Sequence, residues 1–151
     1  MPAADSAGPV LFGYDGSELS QLAITVAGAQ LATPRDALVL CVWQPADVGF
    51  TPVGGRHIDA GQATEVRQAA EETAAQGAAL AQRAGFHARP VALEAAPTWE
   101  GIVTTAEQER ASLIVLGAHR RGGLVRHLLG DVASAAIAHS PRSVLVVHQH
   151  S

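Results

Sequence analysis

The chain has 151 residues and a formal charge of −4 at pH 7, a length that suits one domain around one core. All ten basic residues are arginine. That excludes a pyridoxal phosphate Schiff base, a Walker A phosphate loop and the strand lysine of a kinase. Cys41 is the single cysteine, which excludes an internal disulfide and any Cys-x-x-Cys metal or redox motif.

Hydrophobic residues make up 48% of the chain and aromatics 4%, so the core must be built from small and aliphatic side chains. Met1 to Pro9 has neither the basic nor the apolar segment of a secretory signal. No apolar run approaches the roughly 18 residues of a membrane span. These features predict a cytoplasmic protein with no membrane partner, and the mild acidity argues against nucleic acid as a partner. One domain is expected over 1–151, with an ordered core at about 8–148 and a long loop at 44–61.

In chain order, Val10 to Tyr14 reads as a buried strand that stops at Asp15-Gly16-Ser17. Ser17 is a good N-cap for a helix with Leu19, Leu22, Ala23, Val26 and Ala27 at helical spacing, closed by Thr33-Pro34. Ala37 to Trp43 is continuously apolar, as in a strand buried on both faces, and places Cys41 as a buried thiol. An irregular stretch rich in proline and glycine follows. Gln62 to Ala84 is a helix by propensity, with Val66, Ala70, Ala74 and Ala81 on a shallow apolar face and Gly85 as its C-cap. Pro90 to Ala95 reads as a third strand. Thr98 is expected to cap a helix to Arg110, with Ile102, Val103 and Ala106 inward. Ser112 to Leu116 is a fourth strand. Leu124 to Ala138 is a helix with Val125, Leu128, Leu129, Val132 and Ala136 on one face. Ser143 to Val147 is the fifth strand.

Strands alternating with helices predict an α/β fold: a doubly wound, Rossmann-like parallel sheet with helices on both faces. In such sheets ligands bind beyond the carboxyl ends of the strands, where strand order reverses. Two loops at such ends carry unusual residues. Gly117 to Asp131 contains Arg120, Arg121, Gly122, Gly123, Arg126 and Gly130. Its glycines allow backbone N–H groups to approach an anion, and its arginines can hydrogen-bond phosphate. The same composition also describes a solvated turn, and both readings stay open. Asp15 either accepts from a ribose hydroxyl or simply forms the turn with Gly16. The seven histidines make no zinc-spaced pair with a general-base glutamate, and no Gly-x-Ser-x-Gly elbow is present.

The anchors Val10 to Ser17 with Ser20, Ala111 to Gly117, Gly122-Gly123 through Leu128-Leu129-Gly130, and Pro141 to Val147 resemble the universal stress protein family over nearly the whole chain. The resemblance implies five parallel strands in the order 3-2-1-4-5. It implies ATP as the cofactor, with Asp15 at the ribose, Gly13 and Val42 near the adenine, and the Gly130 region at the phosphates. Tyr14 and Val132 complete the candidate set as neighbours of these positions. The ATP-binding members carry Gly, two residues, Gly, nine residues, then Gly and Ser or Thr. Here Gly117 and Gly130 match, whereas Arg120 replaces the second glycine and Asp131 the hydroxyl. Asp131 can cap the helix start itself, and a phosphate there meets a like charge.

Three functions compete. One is a stress regulator that binds ATP or another adenine nucleotide. The second is a nucleotide-independent dimeric interaction module, favoured by Arg120 and Asp131. The third is an enzyme such as a slow ATPase, for which no general base is evident. A phosphate-receiver domain is excluded by the missing lysine. The resemblance also implies a homodimer paired through Ser143 to Val147, which covers an apolar edge strand.

Overall fold

The computed structural model describes residues 8–44, 60–118 and 129–149. Five strands, β1 (Val10–Gly13), β2 (Arg35–Trp43), β3 (Phe86–Glu94), β4 (Leu113–Ala118) and β5 (Ser143–His148), alternate with four helices. The helices are α1 (Glu18–Gln30), α2 (Ala60–Arg83), α3 (Thr98–Gln108) and α4 (Leu129–His139). All strand pairs are parallel, and their order is β3-β2-β1-β4-β5. The expected topology is therefore present.

The central strand β1 shows how the sheet makes two cores. Val10 and Phe12 turn to one face, where α1 and α2 supply Ala23, Ile24, Ala27, Ala78 and Ala81. Leu11 turns to the other, among Ile102 and Ala106 of α3 and Ala133 and Ala136 of α4. This period of two explains why β1 and the middle of β2 read as unbroken apolar runs. Alanine-rich helix faces let helices lie close to the sheet. A Cβ on Gly77 in α2 would stand 2.7 Å from both the Tyr14 ring and Val39.

Several boundaries differ from the sequence expectation. β3 begins at Phe86, four residues before Pro90. It is an edge strand, paired only with β2, and an edge tolerates the amide that proline lacks. Phe86 anchors its start, meeting Phe12 edge-on at 5.3 Å between ring centroids. Thr98 does not cap α3. It is the first helical residue, and Pro97 stands at the N-cap without a side-chain hydrogen bond. The fourth helix is described only from Leu129, so Leu124, Val125 and Leu128 lie outside the described residues, as does most of the 44–61 loop.

Other local readings hold. Ser17 caps α1: its Oγ accepts from the Ser20 N–H at 3.2 Å. Gly85 follows α2 at φ +110°, a conformation glycine adopts without a Cβ penalty. Cys41 is buried. At the amino ends of the strands, Arg142 joins β5 to α3, its Nε donating to Glu107 at 2.7 Å and its Nη1 to the Ala111 carbonyl at 3.1 Å. That hydrogen bond holds the Glu107 carboxyl below its ordinary value.

Ser17→Ala removes the α1 cap and should lower unfolding stability by about 1 kcal/mol in urea titration. An unchanged midpoint would mean that water replaces the hydroxyl at no cost.

Candidate functional site

The strand order reverses between β1 and β4, because the chain leaves β1 toward β2 and leaves β4 toward β5. Beyond their carboxyl ends lies a cavity of about 230 Å³. Gly13 ends β1 at its floor, Leu40 and Val42 of β2 form one side, and Leu116 of β4 the other. Thr98 and Ile102 of α3 and Val132 of α4 close it.

Gly13 keeps this space open. A Cβ there would come within 2.5 Å of Leu116 Cδ2 and 3.2 Å of Ile102 Cδ1, so any larger residue would push these side chains and fill the floor. The glycine is thus a steric requirement of the cavity as well as of the β1 packing.

Asp15 lines the same cavity and forms the turn. Its Oδ1 accepts from the Ser17 N–H at 2.9 Å, while Gly16 takes φ +83°. The two sequence readings of Asp15 are therefore compatible: one oxygen holds the turn, and Oδ2 has no partner among the described residues. Tyr14 contributes differently from its neighbours. Its N–H donates to the Leu40 carbonyl at 2.9 Å, and its ring lies in the opposite core, beneath α2. Only its backbone is available at the crevice. Burial, then the Asp15 charge, then Cys41 raise the Tyr14 hydroxyl above the ordinary tyrosine value.

Gly117 lies within β4, and a Cβ on it would stand 2.7 Å from Leu19 Cγ and 3.0 Å from the Leu19 carbonyl oxygen. It is a close-approach residue for α1 and is not among the residues that line the cavity. Arg120, Arg121, Gly122 and Gly123 lie outside the described residues. Gly130 and Asp131 fall in the first turn of α4, with the Asp131 side chain exposed. Asp131 lines a second, more open cavity of about 610 Å³, together with Gln44, Pro97 and Trp99. Thr98 and Val132 line both cavities, so the two adjoin.

Leu40, Thr98, Ile102, Leu116 and Trp99 line these cavities without having been singled out from the sequence. Leu40 had a signal, since it stands two residues from Val42 on the same strand face. Thr98 and Ile102 had none, because a helix far along the chain reaches the crevice only through the crossover. A larger depression of about 810 Å³ lies at the other end of the sheet. The Arg89–Glu109 ion pair, 2.7 Å long, is part of its wall. Helix carboxyl ends converge there and their dipoles disfavour anions. Among the described residues no group of three or more His, Cys, Asp or Glu could hold a metal, and no helix is long and apolar enough to cross a membrane.

A model described as the universal stress protein family matches residues 7–148. The universal stress protein Rv2005c of Mycobacterium tuberculosis is 33% identical over 148 residues, covering 95% of this chain and 46% of the relative. The chain thus spans about half the length of the curated relatives it matches. Among solved structures, the protein MJ0577 superposes with a TM-score of 0.71 at 21% identity, over 97% of this chain and 99% of that one. A universal stress protein in complex with cAMP superposes at 0.60 and 22% identity, over 94% and 98% of the two chains. One from Arabidopsis thaliana with AMP bound superposes at 0.61 and 14%, over 95% and 93%. At these identities the structural matches establish the fold.

The chain has one tyrosine, so tyrosinate absorbance reports Tyr14 alone. It should titrate above the ordinary tyrosine value of 10.0. Because the folded value is the higher one, the stability it contributes is complete below the unfolded value and is lost as pH rises toward the folded one. A titration at the unperturbed value in the folded protein would contradict the buried ring.

Proposed function

The chain belongs to the universal stress protein family, and from this premise we propose that it is a small cytoplasmic stress-response regulator that binds ATP or another adenine nucleotide in the crevice beyond β1 and β4. The observation that carries the reading is the chamber over Gly13, apolar on its walls, with a carboxylate at its mouth. A planar apolar base suits a slot between Val42, Ile102 and Leu116. Oδ2 of Asp15, without a partner among the described residues, suits the hydroxyls of a ribose, which donate. In this reading the phosphates lie toward the start of α4, since a helix start attracts anions, subject to the Asp131 charge. The solved relatives with cAMP and AMP support adenine as the base.

Regulation through binding is the reading that the family match and the chamber over Gly13 support. The nucleotide's role in this reading is to stabilise one surface for a partner. It does so because a ligand that binds only the folded crevice shifts the population of the states that form it.

A nucleotide-independent interaction module is the second reading, and the exposed Asp131 at the start of α4 favours it. Both readings include a homodimer. β5 is an edge strand, with Val144, Leu145 and Val146 only half-buried, and pairing with a second copy across a twofold axis would cover that edge.

Native mass spectrometry of the gently purified protein should show a dimer carrying adenine nucleotide, and Gly13→Val should lose the ligand while circular dichroism still reports the native fold. Equal nucleotide occupancy in the variant would sink the crevice assignment. In sedimentation velocity Val146→Asp should sediment as monomer with native circular dichroism. A folded variant that remains dimeric would remove β5 from the interface.

A further inference from the structure

The sheet has two edges, β3 and β5. An edge strand presents a row of backbone groups to which another strand can bond. Two hydrogen bonds fix which groups of β3 form that row. The Tyr14 N–H donates to the Leu40 carbonyl, and the Ala95 N–H, just past β3, donates to the Trp43 carbonyl. In a parallel strand both backbone groups of a residue point to one side and those of the next residue to the other. Even-numbered residues of β2 therefore serve β1 and odd-numbered ones serve β3. In β3 the odd-numbered residues turn toward β2. The N–H and C=O groups of Phe86, Ala88, Ala92 and Glu94, and the carbonyl of Pro90, face outward along the free edge.

Two features interrupt this row at its middle. Pro90, in register with Val39, has no N–H, and it is exposed, so its ring stands where an outward donor would be. One outward position earlier, the Ala88 carbonyl is already occupied: Gln82, near the end of α2, donates to it from Nε2 at 3.0 Å. An extended segment laid on β3 in either direction would meet a missing donor at Pro90 and a filled acceptor at Ala88. A shift of register does not avoid them, because only Phe86 and Ala88 on one side and Ala92 and Glu94 on the other keep outward donors. A group buried there without a partner bears its full desolvation cost. The other edge is built differently. β5 reads Ser-Val-Leu-Val-Val-His, with no proline.

We propose that Pro90 and Gln82 together close the β3 edge to strand addition by a second copy of this chain, so that of the two edges only β5 is open to one. The β5 half of this statement rests on the homodimer reading above. The β3 half rests on the hydrogen bonds and the proline alone. The consequence is a closed assembly. A twofold pair made through β5 uses that edge in both copies and leaves only β3 edges outside. With β3 closed, growth stops there. With β3 open, pairs would join edge to edge into an open-ended row.

Sedimentation velocity of the full chain over a range of concentrations tests this. Gln82→Ala combined with Pro90→Val frees the Ala88 carbonyl and restores the central donor. With native circular dichroism, the double variant should reach about twice the wild-type mass or more as concentration rises, and return on dilution, while wild type keeps one size. Ala92→Pro added to the double variant removes the neighbouring outward N–H. It should bring the mass back to the wild-type value, which a general loss of stability would not do. If the double variant loses the native spectrum, Pro90→Ala alone, which restores the same donor with a smaller side chain, carries the same readout. A folded variant that keeps the wild-type mass at every concentration, or growth that Ala92→Pro does not reverse, overturns the closed β3 edge. A wild type that stays monomeric removes the β5 interface instead, and growth of the variant is then read from monomer.

Discussion

The double pairing of β1 is the constraint on which the rest of the structure depends. β1 spans only Val10–Gly13, yet it is hydrogen-bonded to β2 on one side and β4 on the other. It has no exposed face, so its alternate residues must fill two cores at once. Phe12 and Val10 serve the α1–α2 side and Leu11 the α3–α4 side. Because the chain departs to opposite halves of the sheet after β1 and after β4, the two connections cannot cover the gap between them. The crevice is therefore a consequence of the topology, and it stays open because the last residue of β1 has no side chain.

Small residues recur wherever this arrangement brings backbone close to backbone or ring. Gly117 lets Leu19 lie against β4, and Gly77 makes room for the Tyr14 ring. The alanine faces of α1 and α2 act similarly along the first core. This close packing sends the Tyr14 ring away from the crevice, although its neighbours Gly13 and Asp15 both line it. Strand alternation thus divides three consecutive residues between crevice and core.

Charge is distributed along the sheet axis in the same way. Near the amino ends, Arg35 donates to the Ser112 hydroxyl, Arg89 to the Glu109 carboxylate and Arg142 to the Ala111 carbonyl. The crevice end presents Asp15 and Asp131 with helix amino termini behind them. Carboxylates in such positions offset the positive charge of a helix start.

The sequence by itself determined the alternation of elements, the parallel sheet, the Ser17 cap, the buried Cys41 and the turn at Asp15-Gly16. Each of these is written in local spacing or in the stereochemistry of one or two residues. It did not reveal the start of β3, since only the edge position of that strand makes Pro90 tolerable. It did not assign the Tyr14 ring or Gly117 to packing, because both face partners tens of residues away in α2 and at the start of α1. Nor did it bring Thr98 and Ile102 to the crevice. Those placements were decided by the tertiary structure, since contacts between distant segments exist only once the crossovers have stacked helices on both faces of the sheet.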